Sequence, residues 1–170
     1  ILTVANAGVL ANKILQVCGG AIYDDNKQPV YVDVSLKIDE TMRLINNTDE
    51  KVVIFATYQA IVDLIVTMVK KRDIGVTWVD GRVTGRRRDR AIDAFYHDPK
   101  CKVGVFHPET TAHGPEFSMA DTMIWWTMTR STEHYQQANE RMASAAQKNP
   151  MGIYYLFANK IEEAIQQQHL

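Results

Sequence analysis

No stretch of this sequence reads Gly-x-x-x-x-Gly-Lys followed by Ser or Thr, and none reads Asp-Glu-x-His. A chain without them has no glycine-rich loop to cradle a triphosphate and no acidic box for its magnesium. Cysteine is scarce. Cys18 and Cys101 are the only two, and their separation matches no zinc-ligand spacing, so two reduced thiols are expected rather than a disulfide or a metal site. No apolar run approaches the roughly 18 residues that cross a bilayer, and no signal peptide is visible, which argues against a membrane partner. Charge of one sign is missing too. With 19 Lys and Arg against 20 Asp and Glu, the net charge is −1. No global field draws nucleic acid, so any such binding must come from a local patch. There is no internal repeat and no low-complexity linker. The chain starts at Ile1 rather than methionine and reads as a piece of a longer protein.

What is present is globular. At 170 residues, 46% hydrophobic and 23% charged, the chain fits one domain with an ordinary core. Apolar positions at helical spacing cover residues 3–18, halted by Gly19-Gly20. Residues 21–34 are polar and turn-rich, with a short extended piece at Val30-Tyr31-Val32, and Ser35 is placed to cap a helix through about Ile45. From there the pattern alternates. Strands are expected at 51–56, 74–79, 102–106, 122–126 and 152–157, and helices at 58–71, 84–97, 131–146 and 159–168. Five short apolar strands separated by helices imply an α/β fold with a doubly wound parallel sheet. Ligands of such sheets sit outside the carboxyl ends of the strands. Trp125, Trp126, Met123, Met128 and Met142 read as core rather than as a binding surface.

Three constellations carry chemistry. Residues 81–90 hold five arginines: Arg82, Arg86, Arg87, Arg88 and Arg90. The bland reading is a solvated face. Against it, cations in a first helical turn oppose the macrodipole by about 0.3–1 kcal/mol each, which an anion would offset. Arg88 also falls on the inward face with Ala91 and Ile92, where an unpaired guanidinium is costly. Phosphate or carboxylate contact, blind to sequence, is the sharper reading. Second, the loop 107–117 offers His107, Glu109, His113 and Glu116, whose spacing matches no zinc pattern. Its Thr110 and Thr111 hydroxyls and its amides suit phosphate or ribose, and Gly114 suits a close backbone approach. Third, Gln137 and Arg141 share a helix face. They form either a surface hydrogen-bonding pair or an arginine presented to a triphosphate held elsewhere.

In order along the chain, these motifs resemble the C-terminal RecA-like domain of superfamily-two helicases, and within them the Swi/Snf-type translocases. Ser35-Leu36-Lys37 resembles the Ser-Gly-Lys lead-in, and Lys51–Phe55 with Thr57 and Tyr58 resembles motif IV. Asp80-Gly81 with Arg88, Ile92 and Phe95 resembles the following arginine segment. Residues 107–121 resemble motif V, in a His113-Gly114 form closer to phage and bacterial members. Gln137, Arg141, Gln147 and Pro150 resemble motif VI, and Ile161–Ile165 the closing Thr-Ile-Glu-Glu segment. The chain departs from the pattern where Ser144 replaces a second arginine, where Glu140 replaces a glycine, and where Pro115-Glu116 replaces Leu-Asn.

The resemblance implies residues 1–50 as a helical lead-in joining the first lobe, and residues 51–170 as the RecA-like second lobe of a helicase. It implies ATP with magnesium, bound mainly by an N-terminal RecA-like lobe of the same protein, with Gly114, Glu116, Gln137 and Arg141 facing the nucleotide and Arg141 catalytic. It implies double- or single-stranded DNA held through Thr57, Tyr58, Gly81, Arg82, Arg86, Arg87, Arg88, Thr110 and Thr111. The setting would be cytoplasmic in a bacterium or phage-infected cell and nuclear in a eukaryote. A non-catalytic interaction domain that kept the fold, or the second lobe of an RNA helicase, are the rival expectations.

Overall fold

The computed structural model describes residues 7–111, 116–143, 147 and 150–170. Helix α1 (Ala7–Gly19) ends at Gly20, whose φ of +106° is a left-handed cap that a glycine adopts without strain. A short antiparallel hairpin follows, β1 (Ala21–Tyr23) and β2 (Pro29–Tyr31). Its turn is closed by the Asp24 carboxylate, which accepts from the amides of Asn26 and Gln28. The sequence pattern predicted only the second of these strands.

Helix α2 (Ser35–Asn46) begins at Ser35 rather than being capped by it. Val34 occupies the cap position without a side-chain bond, and the Asp33 carboxylate accepts from the Ser35 amide at 2.9 Å. The alternating part of the chain then forms β3 (Lys51–Phe55), α3 (Gln59–Lys70), β4 (Gly75–Val79), α4 (Gly85–His97), β5 (Cys101–Phe106), β6 (Ala120–Trp125), α5 (Thr132–Met142), β7 (Gly152–Tyr155) and α6 (Lys160–Gln167). Between β5 and β6 the described residues include a 3₁₀ turn, Pro108–Thr111.

The five strands β3 to β7 lie parallel in the order β4-β5-β3-β6-β7. β3 sits in the middle, and its alternate residues face two cores. Val52 and Ile54 pack with α2, α3 and Trp126. Val53 and Phe55 pack with Phe95 of α4, with Tyr135, Ala138 and Met142 of α5, and with Phe117. Helices therefore cover both faces, which is the doubly wound arrangement. Trp125, Trp126, Met123 and Met142 are fully buried, and Met128 nearly so, as core residues should be. Met42, Leu44 and Ile45 of α2 belong to the same apolar cluster as β3 and α3, so the core runs without a break across residue 50.

Candidate functional site

The carboxyl ends of β3, β4 and β5 open into one cleft of about 440 Å³, lined by Thr57, Gln59, Asp80, Gly81, His107, Glu109 and Thr110. Each wall comes from the turn after a strand, so the sheet itself sets their spacing. Thr57 is fixed by its amide donating to Thr127 Oγ1 at 2.9 Å, with the two hydroxyls 3.0 Å apart. Thr110 is fixed by its hydroxyl donating to the His107 carbonyl at 2.7 Å. His107 spans the cleft, with Nε2 3.0 Å from the Thr57 carbonyl and Nδ1 3.2 Å from the Glu109 amide. Burial lowers its ring below the ordinary histidine range.

The arginines divide into three kinds. Arg82 holds two carboxylates: its Nη1 and Nη2 reach Asp63 at 2.9 and 2.8 Å, and its Nε and Nη2 reach the buried Asp80 at 3.0 and 2.6 Å. Those bonds, with Asp63 and then Asp80, hold its guanidinium above even the usual arginine range. Arg88 is half-buried and donates to the Thr110 carbonyl at 3.2 Å, tying α4 to the 3₁₀ turn. Arg86 and Arg87 are exposed in the first turn of α4, where there is no acidic residue and Thr84 supplies no side-chain cap. Gly81 is exposed beside them.

Tyr58 packs half-buried next to this cleft. Its hydroxyl reaches the Asn12 carbonyl of α1 at 3.4 Å, and burial pushes its pKa up to about 12. Thr111 lies on the 3₁₀ turn, but its side chain lies outside the described residues, as do Gly114 and Ser144.

The nucleotide candidates occupy a different place. α5 starts at the carboxyl edge, where Ser131 caps it by accepting from the His134 amide. As a crossover helix it runs back across the sheet, and nine residues carry Arg141 about 14 Å from its start. There the Arg141 carbonyl accepts from the Phe117 amide at 2.9 Å, just ahead of β6. Gln147 donates to the Ala120 carbonyl at 2.7 Å on the same amino-end edge. Exposed Glu116 is next to Phe117, and its carbonyl accepts from Tyr96 of α4 at 2.6 Å. Gln137 lies midway, donating to Glu133 at 3.1 Å, while its Oε1 is buried and accepts nothing among the described residues. The carboxyl-end rule thus locates the cleft of Thr57, Gly81 and Thr110 and the nearby first turn of α4, but not Arg141.

Two groups escape notice in the sequence. Asp63 lies 19 positions from Arg82 and on another element, with no spacing to betray the pair. His107 draws attention only as an unsuitable zinc ligand, and among the described residues no cluster of three His, Cys, Asp or Glu is arranged to hold a metal.

The chain matches the model of the helicase conserved C-terminal domain over residues 36–146. Over 115 residues, 68% of the chain, it is 28% identical to a SWI/SNF-related matrix-associated actin-dependent regulator of chromatin subfamily A-like protein 1 homolog of Caenorhabditis elegans. Over 125 residues, 72% of the chain, it is 30% identical to a DNA repair and recombination protein RAD54-like of Drosophila grimshawi. A human protein named DNA annealing helicase and endonuclease ZRANB3 is 22% identical over 133 residues, 78% of the chain. The chain spans only 17%, 16% and 12% of the lengths of these three relatives. Its fold is that of the C-terminal part of the Fun30 ATPase domain, with a TM-score of 0.70 at 24% identity over 79% of this chain and 45% of the other. The chain belongs to the helicase conserved C-terminal domain family, of the Swi/Snf type.

Proposed function

We propose that this chain is the second motor lobe of an ATP-dependent DNA translocase, which grips DNA phosphates at the carboxyl-end cleft and presents Arg141 to a nucleotide held by a preceding lobe. The observation that carries the reading is the separation of the two candidate surfaces on one rigid sheet. Arg86, Arg87, Thr57 and Thr110 lie at one edge, Arg141 lies at the other, and residues 107–119 connect them. In a eukaryotic cell the reading places the protein in the nucleus.

The residues fit part of a nucleotide site. Gln137 Oε1 is a buried acceptor without a donor among the described residues, which suits a hydroxyl or amino group of a nucleoside. Arg141 would stabilise the negative charge that develops on a transferred phosphoryl group. Magnesium is held by one or two carboxylates together with the nucleotide's phosphates, and the family resemblance assigns it to the preceding lobe. Magnesium–ATP, when bound, supplies the phosphoryl transfer whose free energy drives movement. This chain's share is to close on it and shield the site from bulk solvent, the attacking water remaining as the phosphoryl acceptor. In the first turn of α4, at the same edge of the sheet as the cleft, Arg86 and Arg87 would meet phosphates without reading bases, as a translocase requires.

A second reading, a non-catalytic domain that kept the fold, is favoured by Ser144 and Glu140 standing where the family pattern has arginine and glycine. One experiment separates the two: DNA-stimulated ATPase turnover of the full-length protein beside its Arg141→Ala variant. An arginine finger is worth on the order of 10³–10⁵ in turnover. Loss of that size in a variant with unchanged circular dichroism supports the motor. A parent without DNA-stimulated turnover, or a variant that keeps it, sinks that role for Arg141.

A further inference from the structure

We propose that the neutral imidazole of His107 locks the carboxyl-end cleft, and that protonating it opens the cleft and releases a bound nucleic-acid backbone. The inference rests on the phosphate-gripping reading above but is carried by separate geometry.

Both ring nitrogens of His107 have partners of fixed role. The Thr57 carbonyl can only accept, so Nε2, 3.0 Å away, must carry the proton. The Glu109 amide can only donate, so Nδ1, 3.2 Å away, must be bare. One tautomer alone satisfies both, and the charged ring does not, because a protonated Nδ1 would face another N–H. The backbone of His107 extends the lock. Its amide donates to the Val79 carbonyl at 2.9 Å, and its carbonyl accepts from the Thr110 amide at 2.9 Å and hydroxyl at 2.7 Å. One residue therefore ties the ends of β3, β4 and β5 to the 3₁₀ turn. These are the segments that carry Thr57, Gly81 and Thr110.

The charged groups around the ring are Glu109 from the 3₁₀ turn, Asp80 from the end of β4 and His134 from α5. Glu109 and Asp80 favour the charged ring and His134 opposes it. Burial outweighs them, and the pKa of the ring falls below its ordinary range. Asp80 is itself engaged by Arg82, which weakens its pull. The lowered folded-state value makes the contribution of His107 complete above about pH 6.5, the unfolded value, and lost as pH falls through the folded value.

This pH dependence opposes the usual one. Adding positive charge to a DNA-binding surface tightens phosphate binding, whereas opening the lock loosens it. The test measures binding of a short fluorescent DNA duplex from about pH 7.5 down to the pH at which histidine ring nitrogen NMR on the chain shows the His107 ring protonated. The parent should show the Nε2–H tautomer at neutral pH and lose affinity about tenfold on acidification, the scale of one unmet buried hydrogen bond. His107→Gln, whose amide can still donate to Thr57 and does not titrate, should bind like the parent at neutral pH and hold that affinity in acid. His107→Ala should bind weakly throughout. An Nδ1–H tautomer, or parent affinity that stays flat or rises in acid, overturns the proposal. Failure to bind DNA at neutral pH would count against the phosphate reading alone. The lock would then be judged from hydrogen-exchange protection of the Glu109 amide, which must fall as the ring titrates or the proposal fails.

Discussion

Removing one partner of the Lys37–Glu162 pair should cost more stability than removing both. Lys37 comes from the first turn of α2 and Glu162 from the first turn of α6, 125 positions apart, and their side chains are 8% and 0% exposed. The Lys37 ammonium donates to Glu162 Oε1 at 3.1 Å and to the Trp126 carbonyl at 2.9 Å. Glu162 Oε2 also accepts from the Ala158 amide at 2.6 Å. Burial pulls the Lys37 pKa down even with the carboxylate beside it, so the environment is dry enough for a stranded charge to be expensive. Lys37→Met leaves the Glu162 carboxylate with only a neutral amide, and breaking a buried pair this way costs about 3–5 kcal/mol. Glu162→Ala strands the ammonium and also orphans the Ala158 amide, roughly 1 kcal/mol more. The double variant Lys37→Met/Glu162→Leu carries no buried charge. It leaves only the Ala158 amide and the Trp126 carbonyl unmet, about 2–4 kcal/mol together. Urea titrations of the parent, both single variants and the double variant give the coupling directly, provided the denaturant slope stays constant. A single variant costing under about 1 kcal/mol, or a double variant equal to the sum of the singles, would show that the pair behaves as a solvated one.

Two further outcomes separate fold from function among the small and charged residues. Replacing both Arg86 and Arg87 with alanine should reduce the salt dependence of duplex DNA binding by about 0.9 log–log units for each phosphate no longer neutralised and leave the denaturation midpoint unchanged. Arg82→Ala should instead lower the midpoint, because the Asp80 carboxylate, 1% exposed, loses its counter-ion. If the Arg86/Arg87 variant keeps its slope, that face is merely solvated. Gly104→Ala on β5 should cost about 1–3 kcal/mol in the same titration. Its new methyl would sit 2.8 Å from the Phe95 ring and closer still to that of Phe106, and a near-neutral result would mean that this aromatic cluster has slack.

The parallel sheet was legible because its strands are apolar on both faces. Val52-Val53-Ile54-Phe55 and Val103-Gly104-Val105-Phe106 have no polar alternation, and only burial under helices on both sides tolerates that. The β1–β2 hairpin was half legible. Ala21-Ile22-Tyr23 is too short for a period-two signal, and it is held by tertiary contacts: the Gln16 side chain accepts from the Tyr23 amide, and Lys13 donates to the Tyr23 carbonyl. The half-buried state of Arg88 could be read from its place three and four residues before Ala91 and Ile92, and the structure gives it the Thr110 carbonyl. The commitment of Arg82 could not be read, because an arginine in a run of arginines looks like its neighbours until the fold brings Asp63 within reach.

The placement of Arg141 was the harder matter, and its physical reason is helix length. The carboxyl-end rule describes loops, but α5 is a crossover helix of 11 residues, and a side chain near its far end lies close to the opposite edge of the sheet. What joins that edge to the carboxyl-end cleft is the connection from β5 to β6. It leaves the cleft at His107, packs against α5 through the 3₁₀ turn, and reaches the Arg141 carbonyl through the Phe117 amide. Phe117 is fully buried, with its ring 4.9 Å from that of Phe106 and 6.0 Å from that of Phe55, so this end of the connection is anchored in the core. His107 fixes the other end. On the proposed function, the 107–119 segment and its Phe117–Arg141 backbone hydrogen bond link the phosphate-gripping edge to the helix of the finger arginine. That link makes Phe117, which lines neither surface, the position where loosening an anchor should lower DNA-stimulated ATP turnover while DNA affinity, measured beside it, holds. A Phe117→Leu variant in which both hold, or both fall, would refute the coupling.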